Sequence, residues 1–353
     1  MHKYIHIGYP KNLSTALQRN FFEKHPQLMH LGVGCGSNVD YITDDVSLVF
    51  EHYITYARTL PYKKKRDILK KVIDNTLNKA LINPEFKAVG ISLELLSFSF
   101  TTDYVDTIEK AERLYDLFNG DAQIIIIIRN QIDLLKSLYK ESIKLGYSGT
   151  YADYIEYAFL FQDRNFATDF CYDDVYDIYS NLFGRENIHV YPIEMMRNKD
   201  GSLRTLDSGE VLLFKKINEI FDCDYHDFDK DFYNESMSLN VLEAKRLLNK
   251  KYQHDLGNEL WSKSTNFHRV KNYYSRIQGV SLSKDFIYAD VKMKRKLIDI
   301  AESTPISIEP DEFFECNIGY LKELNSMYVN SNFKLQKNLD FFLPDTYFKD
   351  ALL

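Results

Sequence analysis

QIIIIIRNQIDLLKSLYKESIKLGY, residues 123–147, joins the two patterns that decide the fold. Ile124 to Ile128 are five consecutive β-branched residues, bounded by Asn119-Gly120 on one side and Arg129-Asn130 on the other. A strand with one wet face alternates apolar and polar residues, whereas a strand covered on both faces reads as an unbroken apolar run. This run therefore predicts a central parallel strand. Behind it, Leu134, Leu135, Leu138 and Ile143 recur at helical spacing, with Asp133 near the start, where a carboxylate suits the helix dipole.

Outward from this unit the alternation continues. Tyr4 to Gly8 is a short β-rich run that passes into GYPKNLSTALQRNFFEKHP, residues 8–26. Gly8 and Pro10 mark a tight loop. Ser14 or Thr15 is placed to cap a helix with an apolar stripe of Leu17, Phe21 and Phe22, and His25-Pro26 stops it. Residues 32–45 read as an irregular loop. Residues 46–83 read as mainly helical, with the basic run KKKR (63–66) as a solvated face. Lys87 to Leu93 forms a second buried strand ending at Glu94, a helix follows over 106–118, and Ile188 to Ile193 is a further strand. Strand and helix in turn predict an α/β fold, a parallel sheet with helices on both faces.

Past Arg197 the pattern changes. NKDGSLRTLDSGE (198–210) is loop-like, and helices are expected over 209–221 and 238–255. No Pro- or Gly-rich linker divides the chain. Residues 1–353 are thus expected to form a single domain, with a nucleotide-binding α/β core at 1–196 and a largely helical C-terminal lobe at 197–353.

Composition narrows the functions. The formal net charge is -7 over 353 residues, so the whole molecule is not built to coat nucleic acid or an anionic membrane. An anion must be met by a local cluster of basic groups and backbone amides. The 26 Tyr and 24 Phe supply core and, where exposed, stacking surfaces for a purine or a sugar. Cys35, Cys171, Cys223 and Cys316 include no CxxC pair and read as reduced thiols of a cytoplasmic protein. The N-terminal MHKYIHIGYP meets a turn signal too early for a signal peptide, and the isoleucine run falls far short of the roughly 20 apolar residues of a membrane helix. No membrane insertion and no nucleic-acid partner are expected.

The loop after the first strand carries the chemistry. A strand–loop–helix unit presents free backbone N–H groups and the positive end of a helix dipole, which suits phosphate or sulfate. Laid on Gly8, the nucleoside-triphosphate pattern GxxxxGK[ST] reads G-Y-P-K-N-L-S-T. Leu13 replaces the second glycine, Ser14 replaces the lysine and only Thr15 matches, so an ATP or GTP site with magnesium is disfavoured. The GVGCG stretch at 32–36 lacks dinucleotide spacing and follows a helix, so it is rejected as a dinucleotide motif.

Pro10, Lys11, Asn12, Ser14 and Thr15 resemble the 5′-phosphosulfate loop of sulfotransferases that use 3′-phosphoadenosine 5′-phosphosulfate (PAPS), a family that often carries glycine where Leu13 stands. Arg129 at the end of the isoleucine strand and Ser137 eight residues later match that family's pair for the nucleotide 3′-phosphate. The resemblance covers residues 4–30 and 86–145, and the strand before Glu194 loosely. It implies a P-loop-like sulfotransferase fold with PAPS as co-substrate and PAP as product. The implied cofactor-binding residues are Pro10, Lys11, Asn12, Leu13, Ser14, Thr15, Arg129 and Ser137. Lys11 would stabilise the bridging oxygen, and Glu94, where the family places a His or an acid at a strand end, would be the base. His52 and His30 are alternative bases, and Glu194 resembles a supporting glutamate. Arg269, Lys271 and Arg276 are candidates, by charge, for a loop closing over the nucleotide.

No metal is expected, because the leaving phosphate is already held by amides and lysine. The acceptor is expected to be a small molecule or glycan with a hydroxyl or amine, with a lean towards a carbohydrate or metabolite; no oligomeric state is implied. Two other readings stay open: a nucleotide or small-molecule kinase with a degenerate loop, and a non-catalytic PAP-binding sensor or scaffold.

Overall fold

A computed structural model describes residues 1–32, 44–98, 105–144, 146–226, 237–251 and 296–349. Five strands, β1 (His2–His6), β2 (Leu28–His30), β3 (Ala88–Ser92), β4 (Gln123–Ile128) and β5 (Ile188–Pro192), form one sheet in the order β2-β3-β1-β4-β5. Every pairing is parallel, with His6 opposite Ser92 on one side of β1 and Ile125 on the other. The expectation of a parallel α/β sheet is met. β2 was not expected: three residues carry no period, and only pairing with β3, from Leu28↔Ala88 to His30↔Gly90, makes them a strand.

The isoleucine run is buried throughout because both faces of β4 are covered. Ile125 and Ile127 pack with Tyr4, Leu17, Phe21, Phe22 and Leu28, together with Leu213, Phe214 and Ile217 of the helix Leu212–Ile220. Alternation along a strand sends Ile124, Ile126 and Ile128 to the opposite face. There the helix Tyr172–Phe183 packs on β4 and β5, beside the helix Thr107–Phe118. Tyr4 can lie across β3 because residue 90 is glycine; a Cβ there would stand 2.5 Å from the Tyr4 ring.

Residues 46–83 are mainly helical, as expected, in two pieces: a short helix that widens into a π-helical stretch, Val49–Ile54, and the helix Thr59–Ile82. Lys63, Lys64, Lys65 and Arg66 are exposed on the second piece, and Arg66 Nε donates to Asp116 at 2.8 Å. The later helices run over Leu212–Ile220, shorter than 209–221, and over Leu239–Lys251, with residues 252–255 of the expected 238–255 outside the described residues. Residues 33–43, with Cys35, lie outside the described residues.

The chain forms two compact units, each from separate segments: Met1–Asn130 with Thr168–Phe232 and Met327–Lys349, and Gln131–Ala167 with Tyr233–Ser326 and Asp350–Leu353. The first holds the sheet. In the second, the helix Tyr151–Leu160 starts with a reciprocal capping box between Thr150 and Asp153. Its core is aromatic, with Tyr139 5.2 Å from Tyr151 and 5.4 Å from Phe313. Asn249 ties it, donating to Ile143 O at 2.8 Å and Tyr147 O at 2.9 Å. Among the described residues no helix is long and apolar enough to cross a membrane.

Candidate functional site

In an all-parallel sheet every strand ends on the same edge, so the loops after β3, β1 and β4 are neighbours there. The chain leaves β1 towards β2 on one side and crosses from β3 to β4 on the other. The ends of β1 and β4 therefore border the reversal in strand order where α/β sheets hold ligands.

The loop after β1 is fixed by groups that face inward. Ile7 N–H donates to Ile125 O at 3.0 Å, the last ladder bond before the chain turns away. The next carbonyl of β4 on that side, Ile127 O, is met by the Asn12 side chain, whose Nδ2 donates to it at 3.0 Å. Asn12 thus replaces a main-chain donor that the loop withdraws. Its Oδ1 is buried with no hydrogen-bond partner among the described residues. Tyr9 is fully buried, donates its hydroxyl to Asp169 O at 2.8 Å and packs 4.9 Å from Tyr172. Ser97 Oγ lies 3.2 Å from Gly8 O and 3.0 Å from Glu94 O, linking the loop to the end of β3.

The expectation that Ser14 or Thr15 caps the helix is corrected. The capping position is Leu13, which makes no side-chain cap. Ser14 is already helical, and its Oγ donates back to Tyr9 O at 3.1 Å. Lys11 and Leu13 both take left-handed φ, 64° and 65°. That conformation costs a residue with a Cβ roughly 1–2 kcal/mol, and left-handed residues in a turn bring successive N–H groups into a concavity suited to anions. Leu13 therefore holds the backbone geometry a glycine would supply, and packs against the core beneath. Lys11 is half-buried and Thr15 is exposed.

The end of β4 is clamped through its main chain. The fully buried Tyr172 hydroxyl donates to Arg129 O at 2.7 Å and accepts from Arg129 N–H at 3.4 Å. Glu194, in the turn Ile193–Met196 after β5, accepts the Asn130 N–H at 2.8 Å and the Tyr347 hydroxyl at 2.7 Å. These bonds use both carboxylate oxygens of Glu194, while the Arg129 guanidinium makes no hydrogen bond or ion pair among the described residues. Arg197 stands near. Burial first, and then the charge of Arg129, push its guanidinium pKa down, and its Nε is buried without a partner among the described residues. The sequence reading missed Arg197, since a lone arginine after a strand carries no local pattern.

Glu94 opens the turn Glu94–Leu96 that follows β3 and is half-buried. His30 is fully buried in β2, with Nδ1 3.1 Å from the Tyr4 hydroxyl, and burial pushes its pKa down to about 3. His52 is pushed down to about 4 by burial and then by Arg113. Both are neutral near pH 7, and His30 has no surface to offer an acceptor. Ser137 is half-buried in the helix Gln131–Lys144 of the second unit. Arg269, Lys271 and Arg276 lie outside the described residues. Another residue missed at first is His6, the last of β1, buried between the loop and β3.

No family model matches the chain, and no curated protein matches it. Among solved structures, a sulfotransferase from Alicyclobacillus acidocaldarius is similar at 14% identity with a TM-score of 0.41, covering 71% of this chain and 95% of that one.

Proposed function

We propose that the chain is a transferase that moves a sulfuryl group from PAPS to the hydroxyl or amine of a small-molecule or glycan acceptor. The observation that supports this most is the convergence, on one edge of the sheet, of an amide-rich loop bearing Lys11, the half-buried Glu94 and the uncommitted Arg129, from three adjacent parallel strands.

In this reading the acceptor oxygen or nitrogen attacks sulfur in line, and the bond between sulfur and the bridging oxygen breaks. The electron pair of that bond leaves with PAP. Lys11 meets the charge that builds on the bridging oxygen, and the amides of Asn12, Leu13 and Ser14 with the Thr15 hydroxyl hold the phosphosulfate. Asn12 and Ser14 contribute through the main chain, because Asn12 Nδ2 is spent on Ile127 O of β4 and Ser14 Oγ on Tyr9 O. Glu94 takes the proton of the acceptor. Arg129 offers its fork to the 3′-phosphate, a bidentate charge-assisted contact. No step calls for a metal.

Calorimetric titration with PAP, in parallel with ATP plus magnesium, on wild type and Arg129→Ala tests the reading. Micromolar or tighter PAP binding, independent of magnesium and weakened roughly 10- to 100-fold in the variant, is the expected result for losing a charge-assisted bond pair. Preference for ATP–magnesium would turn the assignment to a kinase. Indifference to Arg129 would remove the 3′-phosphate contact and leave the motif match without content.

A further inference from the structure

His6 Nδ1 lies 2.7 Å from Ser92 Oγ, across the β1–β3 register. Gln18 Nε2 donates to Ser92 O at 3.1 Å and to Ser92 Oγ at 3.1 Å. A carbonyl can only accept, which fixes the nitrogen end of the Gln18 amide at Ser92. Ser92 Oγ accepts from Gln18, and His6 Nδ1 is the acceptor found within reach of its single proton among the described residues, so the tautomer that satisfies the Ser92 hydroxyl is the one with a bare Nδ1. A neutral ring that accepts at Nδ1 carries its proton on Nε2. Burial, and then the neighbouring His30, keep the ring neutral by pushing its pKa down to about 3.

That Nε2 is fully buried and has no hydrogen-bond partner among the described residues. A buried donor left unpaired costs roughly 1–3 kcal/mol, so its retention asks for a reason. Its position supplies one. A Cβ built on Gly8 would stand 2.5 Å from His6 Nε2 and 2.9 Å from Cε1, so this edge of the ring lies directly against the Gly8 main chain. Gly8 is glycine to admit the ring.

We propose that His6 is a positioning residue for the anion loop: Ser92 and Gln18 lock it as the Nε2–H tautomer, and the positive end of the ring dipole faces the Gly8 turn, strengthening the hold on an anion bound by the loop. The opposite tautomer would turn a lone pair towards that turn. Fixed dipoles aimed at a charge in a water-excluded site act without reorganisation. The role deepens the proposed function, and rests on it only in that the loop takes an oxyanion.

The test combines ring ¹⁵N NMR of the full chain, with and without inorganic phosphate and PAP, with affinities of His6→Gln, His6→Asn and Ser92→Ala. Wild type should show the Nε2–H tautomer in every state. Gln places an amide N–H near the Nε2 position and should bind both anions within roughly 3-fold of wild type, whereas Asn reaches only the Nδ1 side and should lose about 10-fold. Ser92→Ala should mix the tautomers and weaken both anions. An Nδ1–H or cationic ring in wild type overturns the proposal, as does an Asn variant that binds like wild type, or a Gln variant as weak as Asn. Should His6→Asn fail to fold, the wild-type tautomer and the Ser92→Ala affinities still decide. Phosphate binding that depends on His6 without PAP binding would keep His6 and remove the nucleotide reading; PAP binding indifferent to His6 would do the reverse. A chain that binds neither anion overturns both.

Discussion

At the end of β1 the polar side chains are spent on the protein itself, whereas at the end of the neighbouring β4 the main chain is clamped and the side chain is left over. Asn12, Ser14 and Tyr9 all turn back into the fold, so the loop's conformation is held by its own residues, with Lys11 half-buried and Thr15 exposed. Arg129 is the opposite case: Tyr172 grips its N–H and its carbonyl, Glu194 grips the next N–H, and the guanidinium bonds to nothing described. One end is built to hold a shape and the other to hold a charge ready. A residue type that suits a ligand is thus no guide to whether its side chain or its backbone meets it.

The largest effect expected from this contrast is at Lys11. Lys11→Ala should lower PAPS-dependent PAP formation at least 10²–10³-fold, the usual loss for one preorganised transition-state group at roughly 3–4 kcal/mol. Turnover near the wild-type level would remove Lys11 from the chemistry.

A paired measurement sharpens the contrast further. Asn12→Ala should destabilise the fold by about 1–3 kcal/mol in denaturant unfolding, because Ile127 O is left without its donor in a buried place. Arg129→Ala should leave the unfolding midpoint within about 0.5 kcal/mol of wild type while PAP affinity falls, since a surface change away from packed features costs little stability. Reversed outcomes, stability lost at Arg129 and none at Asn12, would break the division between the two strand ends.

A separate measurement concerns acid stability. His6 and His30 are held neutral in the fold, their pKa values pushed down to about 3 from an unfolded value of 6.5. Above about pH 6.5 neither state binds a proton and nothing is lost. As pH falls from there towards 3 the unfolded chain takes up protons that the fold refuses, and stability drops by up to about 1.4 kcal/mol per pH unit for each ring. Denaturant midpoints between pH 7.5 and 5 should show this slope, and His30→Asn should reduce it. A midpoint unchanged across that range would mean the rings are not held neutral.

Much of the fold was legible because it is written locally. The isoleucine run identified β4 and its double coverage, and the strand–loop–helix order located the turn from Gly8 to Ser14. β2 was illegible, since three residues show no period, and in the mainly helical stretch expected over 46–83 the break at Thr55–Arg58 is marked only by Pro61 in the first turn of the second helix. In the site, Arg129 was legible from its place after β4. The inward turn of Asn12 and Ser14 was not, because hydroxyl and amide side chains look the same in sequence whether they face a ligand or a carbonyl.

By itself the sequence determined the class of sheet, the succession of its main strands along the chain and the places where basic and acidic groups leave them, because side-chain periodicity and β-branching act over a few residues. Only the tertiary structure decided which of those groups are spent. Asn12 answers a carbonyl 115 residues away, Glu194 an N–H 64 residues away, and the tautomer of His6 depends on a hydroxyl 86 residues away. Buried polar atoms must find partners wherever the fold brings them, and that requirement has no local signature.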